Sequence, residues 1–418
     1  MQIDVPTFWD NSLLDSLVAK SRNGESFQIY GALPTVFPTG RPDDVPSVSR
    51  ETVEAHFAYA KGLGMETNYL LNGTKGSRYL SDDPVRVGEY LSWLTSVLLP
   101  DLITVSDPEL QKILYQKFGW GSFCISAIAG IRDRRGIEQW VKSTQGYGAV
   151  HSLVLHHDLT QWTWQDIQEI VESSKSFGIR AKLMMTESCY GGCQVRQAHY
   201  AYVGQTAQSP ARGDPFQASC MLKRLTDPAS LLDLAGFITP EELHSNFNQT
   251  GMEGFKITGR SCSAAWVERA SHHYLTGRSP NNLYDIIVFT SPLLRDRLGM
   301  ELEQLFFLDA EAYGKFISQA RNIPPDDRKA FIQATATRLF ESGLFRINDP
   351  GSVYEVKNGN LRLAVPGKYF SALHEHFMQG QGKETAIKIA KIVVGKPIER
   401  WGEIRTVPVP DFRVGENK

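Results

Sequence analysis

The sequence predicts an α/β protein, a closed (β/α)8 TIM-like barrel with an additional C-terminal α+β domain, and three observations predict it. Eight short apolar runs recur between residues 27 and 259, each closing on polar residues or glycine. Helix-like stretches stand between most of them, which is the βα alternation of a parallel sheet. Finally, the phosphate loop that opens a doubly wound sheet, the main competitor, is missing: Gly31 is followed by ALPTVFPTGR and not by G-x-G-x-x-G.

In chain order the runs are FQIYG at 27–31, METNYLLN at 65–72, DLITVS at 101–106, SFCISAI at 122–128, AVHSLVLH at 149–156, IRAKLMM at 179–185, LAGFIT at 234–239 and GFKITG at 254–259. Helical patterns at 50–62, 85–97, 108–117, 136–143 and 163–174 supply the connections. The spacing breaks once, after the sixth run, where 48 residues from Thr186 to Asp233 intervene. So long a connection in a compact domain usually carries function, and in a barrel it would emerge at the C-terminal ends of the strands, where active sites lie. Beyond Gly277 the texture changes, with helical candidates at 311–321 and 326–342 and strand-like pieces at 353–356 and 361–367. The reading is a barrel domain over 1–280 and an accessory domain over 281–418, ending in a loose tail.

Composition bounds the function. Apolar residues make up 42% and charged residues 22%, enough for a real core. Forty-four basic side chains against 46 acidic ones give a net charge of -2, which offers no general attraction for nucleic acid or anionic lipid. The N-terminus is acidic where a signal peptide is basic, and no apolar run is long enough to cross a bilayer, so a cytoplasmic protein is expected. Five cysteines are too few, and odd in number, for a disulfide framework.

Three of those cysteines fall in the long connection: Cys189 and Cys193 in ESCYGGCQVRQAH, and Cys220 in FQASCMLK. A C-x3-C pair around two glycines lets two thiolates face one metal, and a third thiol nearby moves the balance toward metal. Core cysteines, an iron-sulfur cluster, zinc and a redox dithiol all remain open on spacing alone. For a fourth ligand Cys262, just beyond the last run, is preferred to Cys124, which lies inside a run where a buried inert thiol is the commoner meaning.

Other residues could carry chemistry at the strand ends. Lys256, if it points into the barrel, must meet a carboxylate, and Glu187 is the candidate. Arg260 offers a fixed fork to a carboxylate or phosphate. His156, His157 and Asp158 form an HHD run suited to proton relay. Arg196 and His199 follow the cysteine motif and could contact cluster or substrate, while Tyr30, Asn68 and Asn72 stand near early strand ends, where they could orient a polar ligand. No G-x-S-x-G elbow or H-E-x-x-H motif appears, so a serine or zinc peptidase has little support. The basic piece IRDRRG, with Arg132, Arg134 and Arg135, is the one local candidate for touching RNA.

QIYGALPTVFPTGR at the first run, NYLLN, TVSDP, ESCYGGCQVRQAH, FITPEEL and GFKITGR together resemble the U32 peptidase family, the collagenase-like family that includes anaerobic ubiquinone-biosynthesis proteins and RNA hydroxylation proteins. The likeness covers about residues 27–280, and its most specific piece is F-K-I-x-G-R from Phe255 to Arg260. It implies a barrel carrying a [4Fe-4S] cluster, with Cys189, Cys193 and Cys220 matching the family's cysteine-bearing region and the fourth ligand open between Cys262, Cys124 and substrate, and an oxygen-independent hydroxylation or related redox step on a small molecule or nucleobase. An electron-transfer or biosynthetic partner protein would follow from that chemistry. The C-x3-C interval is shorter than in some members of the family. A U32-type peptidase, or an RNA-binding or assembly module with a structural metal site, stands as the alternative.

Overall fold

The computed structural model describes residues 1–21, 24–33, 37, 48–74, 76–156, 163–205, 215–260, 262–288, 302–379 and 383–394. Eight parallel strands close into a barrel: β1 (Gln2–Pro6), β2 (Ser26–Gly31), β3 (Glu66–Leu71), β4 (Leu102–Val105), β5 (Ser122–Ile125), β6 (Ala149–Val154), β7 (Arg180–Met184) and β10 (Gly254–Lys256). Closure comes from β1, which pairs with β2 on one side and with β10 on the other. Between β7 and β10 two strands leave the barrel, β8 (Thr186–Tyr190) and β9 (Leu234–Phe237), which pair with each other antiparallel.

The barrel expected from the sequence is therefore present, with one strand reassigned. LAGFIT at 234–239 is not a barrel strand, and the N-terminal QIDVP takes its place. The reason lies in which residues face inward. In β1, Ile3 and Val5 are buried, but so are the polar Gln2 and Asp4, so the strand alternates instead of forming an apolar run. Gln2 and Asp4 enter the barrel interior, where they meet other polar side chains.

Helices begin where the sequence supplies caps. Asp10, Ser49, Asp107, Asp133, Thr163 and Ser263 each accept a hydrogen bond from a backbone N–H of the first turn that follows, and Thr163 forms a full capping box with Asp166. These caps satisfy otherwise orphaned donors at the strand-to-helix turns, on the same side of the barrel as the strand C-termini.

The chain divides into two compact units. The first comprises Met1–Arg212, Leu234–Thr290 and Asp309–Pro325, and holds the barrel and the β8/β9 pair. The second comprises Gly213–Asp233, Ser291–Leu308 and Asp326–Lys418. Within it the helix Pro215–Thr226 packs against Lys368–Gln379 and Lys383–Val394. A hairpin of Val353–Lys357 with Asn360–Val365 forms the strand pieces expected there, and Phe306–Leu308 pairs antiparallel with Phe345–Ile347. Among the described residues no helix is long and apolar enough to cross a membrane.

Candidate active site at the barrel mouth

The barrel interior is polar at its middle level. Lys182 Nζ lies 2.9 and 3.0 Å from the two carboxylate oxygens of Asp4 and 3.1 Å from Gln28 Oε1, and both charged side chains are 0% exposed. Asn68 Nδ2 donates to Gln28 Oε1 at 2.8 Å and Asn68 Oδ1 accepts from Thr104 Oγ1 at 2.7 Å. Gln28 Nε2 in turn donates to Glu66. Each member of this network has a partner, which is the condition for burying such groups without a large penalty. Gly254 makes room for it, because a Cβ there would stand 2.5 Å from Lys182 Cγ.

Lys256 follows Gly254 by two residues on the same face of β10 and so stands one level closer to the C-terminal mouth. Its Nζ lies 3.3 Å from the centroid of the Tyr30 ring, a close cation-π contact. Among the described residues no carboxylate lies within ion-pair distance of it, since Asp4 is engaged by Lys182. Its register neighbour on β7 is Met184, part of a buried apolar cluster with Leu102, Cys124, Ala127 and Val154. Burial pulls Lys256 down to about 8 from its usual value; Asp4 and Cys124 oppose the shift, while the charges of Lys182 and Arg260 add to it. Tyr30 OH donates to the carbonyl of Ile257 at 2.7 Å, and burial pushes the phenol well above its usual range, so it stays protonated.

Arg260 is buried just past β10 and lowers the cost of charge on Tyr30, which places it within electrostatic reach of the Lys256 and Tyr30 pair. The turn that delivers it passes through Gly259 at φ +118°, where a Cβ would come 2.9 Å from the Trp266 ring and 3.2 Å from Cys262 Sγ. Both conditions require glycine, which gives the G-R pair of the F-K-I-x-G-R run a physical basis. Cys262 N donates to Gly259 O at 2.8 Å, holding the thiol at this turn.

Glu187, expected beside Lys256, is buried on β8 and engaged elsewhere. Its Oε1 accepts from the Ser188 N–H at 3.1 Å and from the Cys189 thiol at 3.5 Å. Its charge still reaches Tyr30. Arg196 is buried and donates to the Tyr190 carbonyl, tying the start of the helix Arg196–Gln205 to the end of β8. His199 is half-buried on that helix. His156 is buried directly after β6, with Arg132 Nη2 at 3.3 Å from its Nε2; His157 and Asp158 lie outside the described residues. Asn72 Nδ2 reaches Ser126 Oγ at 3.4 Å, whereas Asn68 sits deeper, in the interior network. Of the basic piece, Arg134 pairs with Glu138 at 2.6 Å across one helical turn.

Cys189, Cys193, Cys220 and Cys262 are all partly exposed thiols, and Cys124 is buried. Cys189 and Cys262 belong to the first unit and Cys220 to the second, on the helix Pro215–Thr226. Among the described residues no three side chains of His, Cys, Asp or Glu are grouped to hold a metal ion.

Sequence reasoning missed two features. The Asp4 and Lys182 pair joins residues 178 apart, and its one local signal was the polar and apolar alternation of QIDVP. The other lies at the end of β1: Thr7 Oγ1 donates to His56 Nε2, and His56 Nδ1 donates to Asn11 Oδ1 at 2.7 Å. Burial pulls this histidine down to about 4.

A closed parallel barrel with ionisable side chains collected at the C-terminal ends of its strands is the architecture of an enzyme scaffold. Comparison with known proteins narrows the class. The chain is 26% identical over 302 residues to the uncharacterized protease MJ1657 of Methanocaldococcus jannaschii, which covers 71% of this chain and 82% of that protein. The solved structure of the U32 peptidase Mk0906 is similar at 13% identity and a TM-score of 0.41, over 61% of this chain and 92% of that one. No family model matches the chain. The chain is thus similar in sequence to the archaeal protease over most of both chains.

Proposed function

We propose that the chain is a hydrolase of peptide-type substrates that works at the C-terminal mouth of the barrel. The observation that carries the reading is Lys256, a buried amine with no carboxylate in ion-pair distance among the described residues and a proton that leaves near pH 8. In its neutral form it can take a proton from a water attacking the scissile carbonyl, as a base tuned close to working pH. Arg260 supplies a guanidinium that can hold the substrate carboxylate or the oxyanion that forms during attack. The name of the archaeal relative, a protease, supports the same chemistry. The test is to incubate the purified chain with a defined peptide mixture between pH 7 and 9 and follow cleavage by mass spectrometry. Cleavage that drops at least about a hundredfold in Lys256→Met supports the reading. Absence of cleavage by the wild type, or equal cleavage by the variant, refutes it.

A second reading, an iron-sulfur enzyme performing a redox modification of a small molecule or nucleobase with electrons from a partner protein, is favoured by one observation. The four cysteines of the proposed ligand set are partly exposed, and the fifth is buried. Protein purified and reconstituted without oxygen should then contain about four irons and four sulfides per chain. Fewer than about two irons would remove this reading.

A further inference from the structure

We propose that Lys256 is also a nucleophile: its amine condenses with the carbonyl of a small 2-oxo acid, whose carboxylate is held by Arg260, to form an imine on the enzyme. The inference shares the location of the proposed hydrolytic site but needs no peptide hydrolysis.

The argument begins with reach. Among the described residues the barrel holds two buried lysines, Lys182 and Lys256, on the neighbouring strands β7 and β10. Lys182 is 0% exposed and gives its protons to both Asp4 oxygens and to Gln28. Lys256 keeps 9% of its surface exposed, stands one level nearer the mouth, and rests its Nζ on the face of Tyr30. A ring face attracts the ammonium but accepts no proton, so nothing among the described residues locks Lys256 in the charged state as Asp4 locks Lys182. Its surroundings oppose the charge. Met184 belongs to the apolar cluster around Cys124 on one side, and the charges of Lys182 and Arg260 both act against the ammonium. An amine desolvated beside other cations is the arrangement that leaves a lysine neutral and nucleophilic near neutral pH. Asp4 and Cys124 are the groups that pull the other way, and both are outweighed by burial.

Arg260 decides the substrate class. Its charge is felt at both Lys256 and Tyr30, so an anionic group drawn to it arrives with its neighbouring atoms near the amine. A carboxylate directly bonded to a carbonyl carbon meets both requirements in one small molecule. In the step, the Nζ lone pair forms a bond to the carbonyl carbon. The carbonyl oxygen then leaves as water, carrying one proton from Nζ and one from solvent, and the iminium keeps the remaining N–H. No oxidant or reductant is consumed.

The experiment is reductive trapping. The full-length protein is incubated at pH 8 with pyruvate and sodium borohydride, and the modified lysines are located and quantified by peptide mapping. The expected result is one reduced adduct per chain on Lys256, formed at least tenfold faster than on the exposed Lys315 of the same molecules. Acetone, which has the carbonyl without the carboxylate, should label Lys256 at least tenfold more slowly than pyruvate, and Arg260→Met should erase that preference. The comparison within one wild-type molecule needs no variant to fold. Labelling spread equally over exposed lysines, or none on Lys256, overturns the proposal. Equal labelling by acetone and pyruvate overturns the assignment of a 2-oxo acid. A trapped adduct in a protein that cleaves no peptide would leave this inference standing while the hydrolase reading falls, and the converse result would separate them the other way.

Discussion

The ionisation of Lys256 has a consequence for stability that can be worked out from its surroundings. In the unfolded chain the amine titrates near its usual 10.5, and in the fold near 8. Between those values the unfolded state binds more protons than the native state, so stability rises with pH across that window. Below pH 8 the fold carries the whole penalty, about 3 kcal/mol, because both states are then protonated and the buried charge is the disfavoured one. Lys256→Met removes the titration and leaves a side chain of similar length among Met184 and its apolar neighbours. The variant should therefore be more stable than the wild type at pH 7. Only the ammonium makes the contact with the Tyr30 ring, which fades as Lys256 deprotonates and is already contained in its folded-state proton affinity, so the informative quantity is how the gap between the two proteins moves with pH. It should narrow by about 2 kcal/mol between pH 7 and pH 9.5, measured by urea denaturation at both values. A gap that stays constant or widens would show that Lys256 is not held near 8, and the case for its reactivity would go with it.

Three other expectations test the scaffold around it. Asp4→Asn removes the charge that pairs with fully buried Lys182, and should lower stability by about 3–5 kcal/mol; joint replacement by Asp4→Leu and Lys182→Met should recover most of the loss in the same denaturation assay. Gly259→Ala places a Cβ against Trp266 at a φ of +118°, so it should cost more than about 1 kcal/mol and displace Arg260, seen as lost pyruvate-dependent labelling of Lys256. His56, held near 4 by burial against an unfolded value of 6.5, contributes stability that is present above 6.5 and disappears as the pH falls through 4, up to about 3 kcal/mol. In His56→Gln the thermal midpoint should vary less over that acid range, and an unchanged slope would show that the Thr7, His56 and Asn11 contact is not what the acid breaks.

The barrel was legible because its outer layer obeys a simple rule: short apolar runs, punctuated by Gly and capping residues, with helices between. The inner layer does not obey it. Gln2 and Asp4 interrupt β1, and an apolar-run criterion passes over that strand, although its partner across the barrel, Lys182, sits visibly charged inside the run IRAKLMM. LAGFIT shows the reverse. It is as apolar as a barrel strand, but buried residues on either side of a strand do not tell parallel from antiparallel partners, and β8 supplies its pairing instead. At the site, Lys256 and Arg260 could be singled out because a charge inside an apolar strand is expensive and needs a reason. The identity of Lys256's neighbour could not be read the same way. Glu187 was the expected partner, and the fold shows its Oε1 accepting from the Ser188 N–H and the Cys189 thiol.

The pairing inside the barrel explains why Lys256 has no carboxylate within ion-pair distance among the described residues. Among the described residues Asp4 is the carboxylate paired with a buried barrel lysine, and a single carboxylate can hold both hydrogen bonds of a close ion pair with only one amine. Lys182 takes that place because Gly254 opens a path for its side chain across the barrel, and Gln28, anchored in turn by Asn68, fixes its third proton. Lys256, two residues beyond Gly254 on the same face, is then left above a filled site, near enough to feel Asp4 and Lys182 but bonded to neither. Had Glu187 pointed inward, it would have paired with Lys256 and held its proton throughout the neutral range. Glu187 Oε1 instead accepts from the Ser188 N–H and the Cys189 thiol, and among the described residues Lys256 has no carboxylate within ion-pair distance.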